Sequence, residues 1–237
     1  MVQKYEFCAY SMSSFFNGLV LIVIALILGS SGAYLVAREM APFDFSFAPR
    51  SEIFERLASE PAPVPPSIFG TNVALEICDE TMSRLSFQLA PTERKSAVAI
   101  SCLETAQYAL SGAPSLSYGH FVASIAQFAL GNAEAALLAL ERSQALGPNE
   151  QWIAERRVGL AEVHYDALGD YAGAGHLADL GLLAQSRRGI RSIAARYVAN
   201  PQFRERVTAV VETLPVEIQR RFVSIVRTEA RNIGVGT

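Results

Sequence analysis

Apolar positions follow two regimes along the chain. From Phe15 to Ala37 no charged residue occurs over 23 positions, and Leu19–Leu28 is apolar without a break. At about 1.5 Å per residue the run reaches roughly 35 Å, against about 30 Å for a bilayer's hydrocarbon core. A helix in a soluble core would need polar positions on its exposed side, and Leu19–Leu28 has none. It predicts a transmembrane segment over residues 15–37 behind a short tail, 1–14. The small residues Gly29-Ser-Ser-Gly-Ala33 also fit a signal peptide cleaved after Ala33. However, the basic region ahead of the run is reduced to Lys4 beside Glu6, and Tyr34, Leu35 and Val36 prolong the apolar stretch. An uncleaved signal anchor is the preferred reading. From Ser67 to Arg231 apolar residues instead recur at i, i+3 and i+4, with no sustained alternation. Gly, Pro, Asn and Thr punctuation predicts helices near 71–87, 92–110, 117–130, 132–146, 149–168, 170–184, 187–199, 201–213 and 215–231. Short connections make neighbours antiparallel hairpins. The expected class is all-α: one N-terminal transmembrane helix, then a helical-hairpin domain over 67–237.

Residues 38–66 separate the two. They hold Pro42, Pro49, Pro61, Pro63, Pro65 and Pro66, so they predict a stiff, extended linker that lifts the domain off the bilayer. Phe43, Phe45 and Phe47 are expected at the lipid interface or against the domain. Ile53, Phe54 and Leu57 share one helical face and predict a short helix.

Within the domain, Gly131, Ala136, Leu140 and Pro148 stand at offsets of five, four and eight. The segment 115–148 thereby resembles a tetratricopeptide repeat, a 34-residue helical hairpin in which small residues allow close helix approach. A poorer copy follows: Tyr165, Gly169 and Ala174 match, but Ala178 stands where a large apolar residue is usual, and Ser186 replaces the proline. The resemblance covers about 115–186 and fits the rest loosely; an unrelated helical bundle is the alternative. It implies a protein-binding surface rather than catalysis. In such a solenoid the first helices of successive pairs line the concave face; here those are 117–130, 149–168 and 187–199. Their positions not spent on packing are read as His120, Gln127, Arg156, Arg157, Arg188 and Arg191, the candidate protein-binding residues.

Cys78 and Cys102 fall on the apolar stripes of their helices, each twelve residues from a turn at Ala90. Equal distances put them at one height in a hairpin, as a disulfide requires. Two buried thiols in an Ala-rich core would show the same pattern. Export of the domain favours the bond. Lys4 precedes the anchor and Arg38, Arg50 and Arg56 follow it among acids, so the charge count does not fix orientation; a short tail usually stays inside.

The remaining signals mostly exclude. The chain of 237 residues has a formal charge of −3, which argues against a nucleic-acid partner. Residues 38–186 hold 9 Lys/Arg against 18 Asp/Glu, a net of −9, whereas 187–237 hold 10 Arg against 4 Glu, a net of +6. That basic C-terminal part is either a docking patch or a solvated face. His120, His164 and His176 form no metal-binding spacing, and there is no CxxC, GxSxG or P-loop. No catalytic residue, metal or cofactor is expected. The reading is a single-pass protein of the bacterial inner membrane with a periplasmic C-terminal domain, acting as a scaffold or assembly factor. Its partners would be proteins of a membrane complex, with the bilayer contacted through 15–37. The alternatives are an accessory subunit held through Gly18, Gly29 and Gly32 of its anchor, and, less favoured, an all-helical cell-wall enzyme.

Overall fold

The structure, a computed structural model, describes residues 3–232 and Gly234, with side chains from Gly18 onward except Ala172. Residues 3–14 of the expected tail and the first anchor residues, 15–17, therefore enter only through their backbone, and Cys8 lies outside the described side chains. The fold is all-α. Helix α1 runs from Gln3 to Ser46, and its stretch Gly18–Ser46 is long and apolar enough to cross a membrane, with none of its most apolar part covered by protein. Then come α2 (Arg50–Leu57), α3 (Ile68–Met82), α4 (Leu85–Gln88), α5 (Thr92–Gly112), α6 (Ser117–Ala129) and α7 (Ala133–Leu146). The chain ends with α8 (Gln151–Val163), a 3₁₀ turn at Tyr165–Ala167, α9 (Asp170–Gly173), α10 (Gly175–Gln185), α11 (Gly189–Ala199), α12 (Pro201–Glu212) and α13 (Val216–Asn232).

The hairpins α3/α5, α6/α7, α8/α10 and α11/α12 stand side by side. Their first helices α3, α6, α8 and α11 each pack on the next, and α13 closes the row against α11. Ala136 and Leu140 are buried in the α6/α7 hairpin. Gly131 makes the turn between those helices at φ 80°, a conformation that glycine adopts without a Cβ penalty. The expected helix 149–168 stops at Val163, and 170–184 is interrupted at Ala174 (φ −130°, ψ −69°). At the second break Gly175 lets the Tyr171 ring approach where any Cβ would collide with it. That close approach puts Tyr171 in the core.

Two apolar cores fill the domain. The first gathers Phe45, Leu57, Leu75, Phe121, Val122 and Leu140; the second gathers Leu180, Ile190, Phe203 and Phe222. Helix α8 belongs to both, giving Ile153 and Ala161 to the first and Ala154 and Val158 to the second.

The proline-rich stretch is not a free spacer, which corrects the expectation for 38–66. Helix α1 continues through Pro42, although an interior proline costs about 3 kcal/mol. Tertiary contacts oppose that cost: Phe45 is 1% exposed, and Phe43 stacks on Phe69 with centroids 5.9 Å apart. Further on, Ala62 and Pro65 are buried. Their carbonyls accept hydrogen bonds from Thr105 (3.4 Å) and Thr71 (3.2 Å), which tie the segment across α5 and α3. Its apolar members fit the groove between these helices, so the segment packs there instead of standing in water.

Cys78 on α3 and Cys102 on α5 lie at disulfide-bonding distance, Cα to Cα 5.4 Å. Both are fully buried. Without prior reduction, neither thiol should be alkylated in the purified protein. A Cys78→Ala/Cys102→Ala variant should lose about 3 kcal/mol in chemical denaturation, from freeing the 24-residue loop. Rapid alkylation of both positions in unreduced, unfolded protein would show the pair to be thiols.

Candidate protein-binding groove

The side chains at one end of the first-helix layer enclose a cavity of about 520 Å³. Helix α6 contributes Phe121, Ile125 and Phe128, spaced i, i+4 and i+7 so that they share a face. Helix α8 contributes Arg156, Leu160, Val163 and His164, and α11 sends in Arg196. The far wall carries Asp79, Met82, Phe87 and Lys95. Phe128 and the His164 ring stack nearly parallel with centroids 4.0 Å apart, and burial lowers the His164 pKa. Val163 is 74% exposed. The groove thus combines aromatic and aliphatic walls with three cationic side chains.

Its charged floor rests on Asp79, which is buried. The Asp79 carboxylate accepts hydrogen bonds from the Tyr118 hydroxyl at 2.9 Å and the Ser83 hydroxyl at 3.2 Å, and it pairs with Arg156. Burial raises the Asp79 pKa, with Arg156 acting against it. Burial, then the Asp79 charge, also push the Tyr118 hydroxyl upward. Arg156 therefore has an internal carboxylate partner and still presents about a third of its side chain to the groove. Beside it, Arg196 passes over Gly159, where a Cβ would meet the guanidinium at 3.4 Å.

The neighbouring residue points the other way. Arg157 is 0% exposed. Its Nε and Nη2 donate to the two oxygens of buried Asp179, each at 2.7 Å. It also donates to the carbonyls of Ser143 (3.3 Å) and Gly147 (3.2 Å). Tyr171 adds its hydroxyl to Asp179 at 3.2 Å. A third buried cluster follows along α8: Glu162 receives His176 Nε2 at 2.7 Å and Arg206 Nε at 3.1 Å. Burial works to raise the Glu162 pKa, but the hydrogen bonds and charges of His176 and Arg206 outweigh it and hold the carboxyl below its ordinary range.

The six residues read from sequence as binding positions divide accordingly. Arg156 lines the groove. Arg188 is exposed and lines a second cavity of about 350 Å³ beside Trp152 and Glu155. Arg191 is exposed but lines neither. Gln127 is half-buried and accepts a hydrogen bond from Asn132 Nδ2 at 2.9 Å, which serves the α6–α7 turn. His120 and Arg157 are corrections: both are buried and cannot face a partner. His120 meets the Pro114 carbonyl at 2.9 Å. Arg157 was misplaced because adjacent helical residues differ by about 100°, so Arg156 and Arg157 cannot share a face. Sequence reasoning missed Phe121, Ile125, Phe128, Leu160, Val163 and Arg196. Their 3.6-residue spacing was visible, but periodicity does not distinguish a core face from a groove face. No protein-family model, curated protein or solved structure matches the chain.

Breaking a buried pair strands a charge, so Arg157→Ala should lower the stability of the full chain by roughly 3–5 kcal/mol. Arg188→Glu should change it by no more than about 0.5 kcal/mol. Denaturant titration in detergent compares the two; equal, small effects would remove Arg157 from its structural role. The depressed Glu162 pKa implies stability that is full above the ordinary carboxyl range and lost as pH falls through the lower native value. Glu162→Gln should therefore flatten the acid limb of a stability–pH profile, and an unchanged acid limb would contradict the assignment.

Proposed function

We propose that this chain is a membrane-anchored protein-interaction scaffold or assembly factor of a bacterial cell envelope. On this reading α1 crosses the inner membrane and the hairpin domain lies on the periplasmic side. The observation that carries it is the groove of about 520 Å³, walled by successive first helices α6, α8 and α11, in which Phe128, Leu160 and Val163 are accessible above the buried Phe121 and Ile125. Such walls, ringed by Lys95, Arg156 and Arg196, fit an apolar peptide segment that also carries carboxylates. The helical-repeat reading of the hairpins supports the same conclusion, since stacked hairpins present extended concave surfaces. The close Cys78–Cys102 pair favours the oxidising side of the membrane.

A second reading has its own support. The described span of α1 is bare, and Gly18, Gly29 and Gly32 have open space where a Cβ would stand. Small residues on a lipid-facing helix allow a partner helix to approach, which is how an accessory subunit of a membrane complex would be held.

A photo-crosslinking residue introduced at Val163 or Phe128 in the full chain should give a discrete adduct in native membranes. The same residue at Leu138, exposed on α7 outside the groove, should not. Adducts at Gly29 but none at Val163 would favour the accessory-subunit reading. A reporter active only in the periplasm, fused after Thr237, should be active; activity of a cytoplasm-only reporter would reverse the orientation.

A further inference from the structure

Where α1 leaves its uncharged run, the domain begins at once. Arg38 Nη2 donates to the Tyr108 hydroxyl near the C-terminus of α5, at 3.5 Å. Glu39 accepts hydrogen bonds from the backbone N–H of Ser67 (3.3 Å) and from its hydroxyl, at the N-cap of α3. These contacts hold the start of α3 and the end of α5 at the height of residues 38–39. The side chains there are apolar and uncovered: Ile68 is 56% exposed, Phe69 68% and Tyr108 57%. Tyr34 and Met40 on α1 are exposed beside them.

The height can be compared with a bilayer. The headgroup layer adds roughly 5–7 Å to each side of the hydrocarbon core. Residues 38–41 lie within about 6 Å of Ala37 along a helix axis. Side chains on α1 and α3 lean toward their helix N-termini, and both helices run away from the membrane, so Phe43 and Phe69 lean back toward it. Aromatic side chains concentrate at this depth because the ring is apolar and its edge or hydroxyl tolerates water. Arg38 sits where a guanidinium meets lipid phosphate.

We infer that Ile68, Phe69 and Tyr108 form a rim that seats in the interfacial layer of the same bilayer that α1 crosses. The domain then stands on the membrane by two contacts, a spanning helix and an aromatic foot. This inference rests on the proposed anchoring role of α1, and its occupant is lipid because the rim continues the apolar surface of that helix.

The test uses the full chain with Trp152→Phe as background. Single tryptophans are placed by Phe69→Trp, by Ile68→Trp and, as a distant control, by Leu89→Trp. Leu89 is 76% exposed at the opposite end of the α3/α5 hairpin, about 30 Å away along α5. The proteins are reconstituted into phosphatidylcholine–phosphatidylglycerol vesicles whose acyl chains carry bromine near the headgroup. The Phe69→Trp and Ile68→Trp variants should emit at shorter wavelength and lose about half their intensity to interfacial bromine, with the Leu89→Trp variant unaffected. Vesicle flotation after an alkaline wash separates the two levels of failure. Protein that floats but shows no quenching at positions 68 and 69 overturns the rim while leaving the anchor intact. Protein that does not float overturns both. Circular dichroism identifies a variant that fails to fold, in which case the other rim position decides.

Discussion

The buried pair Arg157–Asp179 sets the rotation of α8, and much else depends on it. Helix α8 is the only described helix whose buried side chains enter both apolar cores, with Ile153 and Ala161 on one side and Ala154 and Val158 on the other. Apolar contacts alone tolerate some rotation of such a helix. A guanidinium that needs two carboxylate oxygens and two carbonyls does not. Isolated buried ion pairs are not strong sources of net stability, because desolvation offsets their attraction. Their effect here is on register: with Arg157 turned toward α7 and α10, Arg156, Leu160 and Val163 are obliged to face the groove.

Two more carboxylates repeat the arrangement. Asp79 on α3 joins Tyr118 of α6 to Arg156 of α8, and Glu162 of α8 joins His176 of α10 to Arg206 of α12. Together with Asp179 they connect α8 to α3, α6, α7, α10 and α12. The uneven charge along the chain takes on a different meaning in this light. Arg206 is a partner of Glu162, while Arg204 and Arg221 donate to the backbone carbonyls of Tyr197, Val198, Ala184 and Gln185. Part of the basic C-terminal region is thus engaged in intramolecular hydrogen bonds and ion pairs, and exposed arginines such as Arg187, Arg188 and Arg191 are fewer than the count of arginines implies.

The helices were legible in the sequence because their ends carry local chemistry. Asn200 caps α12 through its side chain ahead of Pro201, and Gly131 turns α6 into α7. The proximity of Cys78 and Cys102 was legible because equal distance from a turn is a one-dimensional property. What was not legible depends on three-dimensional context. Nothing in the local sequence distinguishes Arg156 from Arg157 until α8 is rotated against two cores. The proline-rich stretch read as a spacer because composition reports backbone stiffness and not whether Thr71 and Thr105 wait to bind its carbonyls. For the same reason nothing in the local pattern separates groove walls such as Phe128 and Val163 from core positions.

The position of the groove relative to the anchor carries the last step. The contact of Glu39 with Ser67 places the start of α3 beside residue 39, and Gly147 lies against Ser117, which brings the connection into α8 to the start of α6. Met82, Phe128, Val163 and His164 lie at or just after the C-terminal ends of α3, α6 and α8, so the groove opens at the end of α3 away from Glu39. A helix of 13 residues such as α6 spans about 20 Å. Under the proposed anchoring of α1, a partner segment in this groove would come from the aqueous compartment, whereas a partner of Gly18, Gly29 or Gly32 would approach through lipid. The two readings of function use different parts of the structure, the groove and the described span of α1. Because α1 enters the first core through Phe45, the helix that is apolar enough to cross a membrane is joined to the domain by side-chain packing.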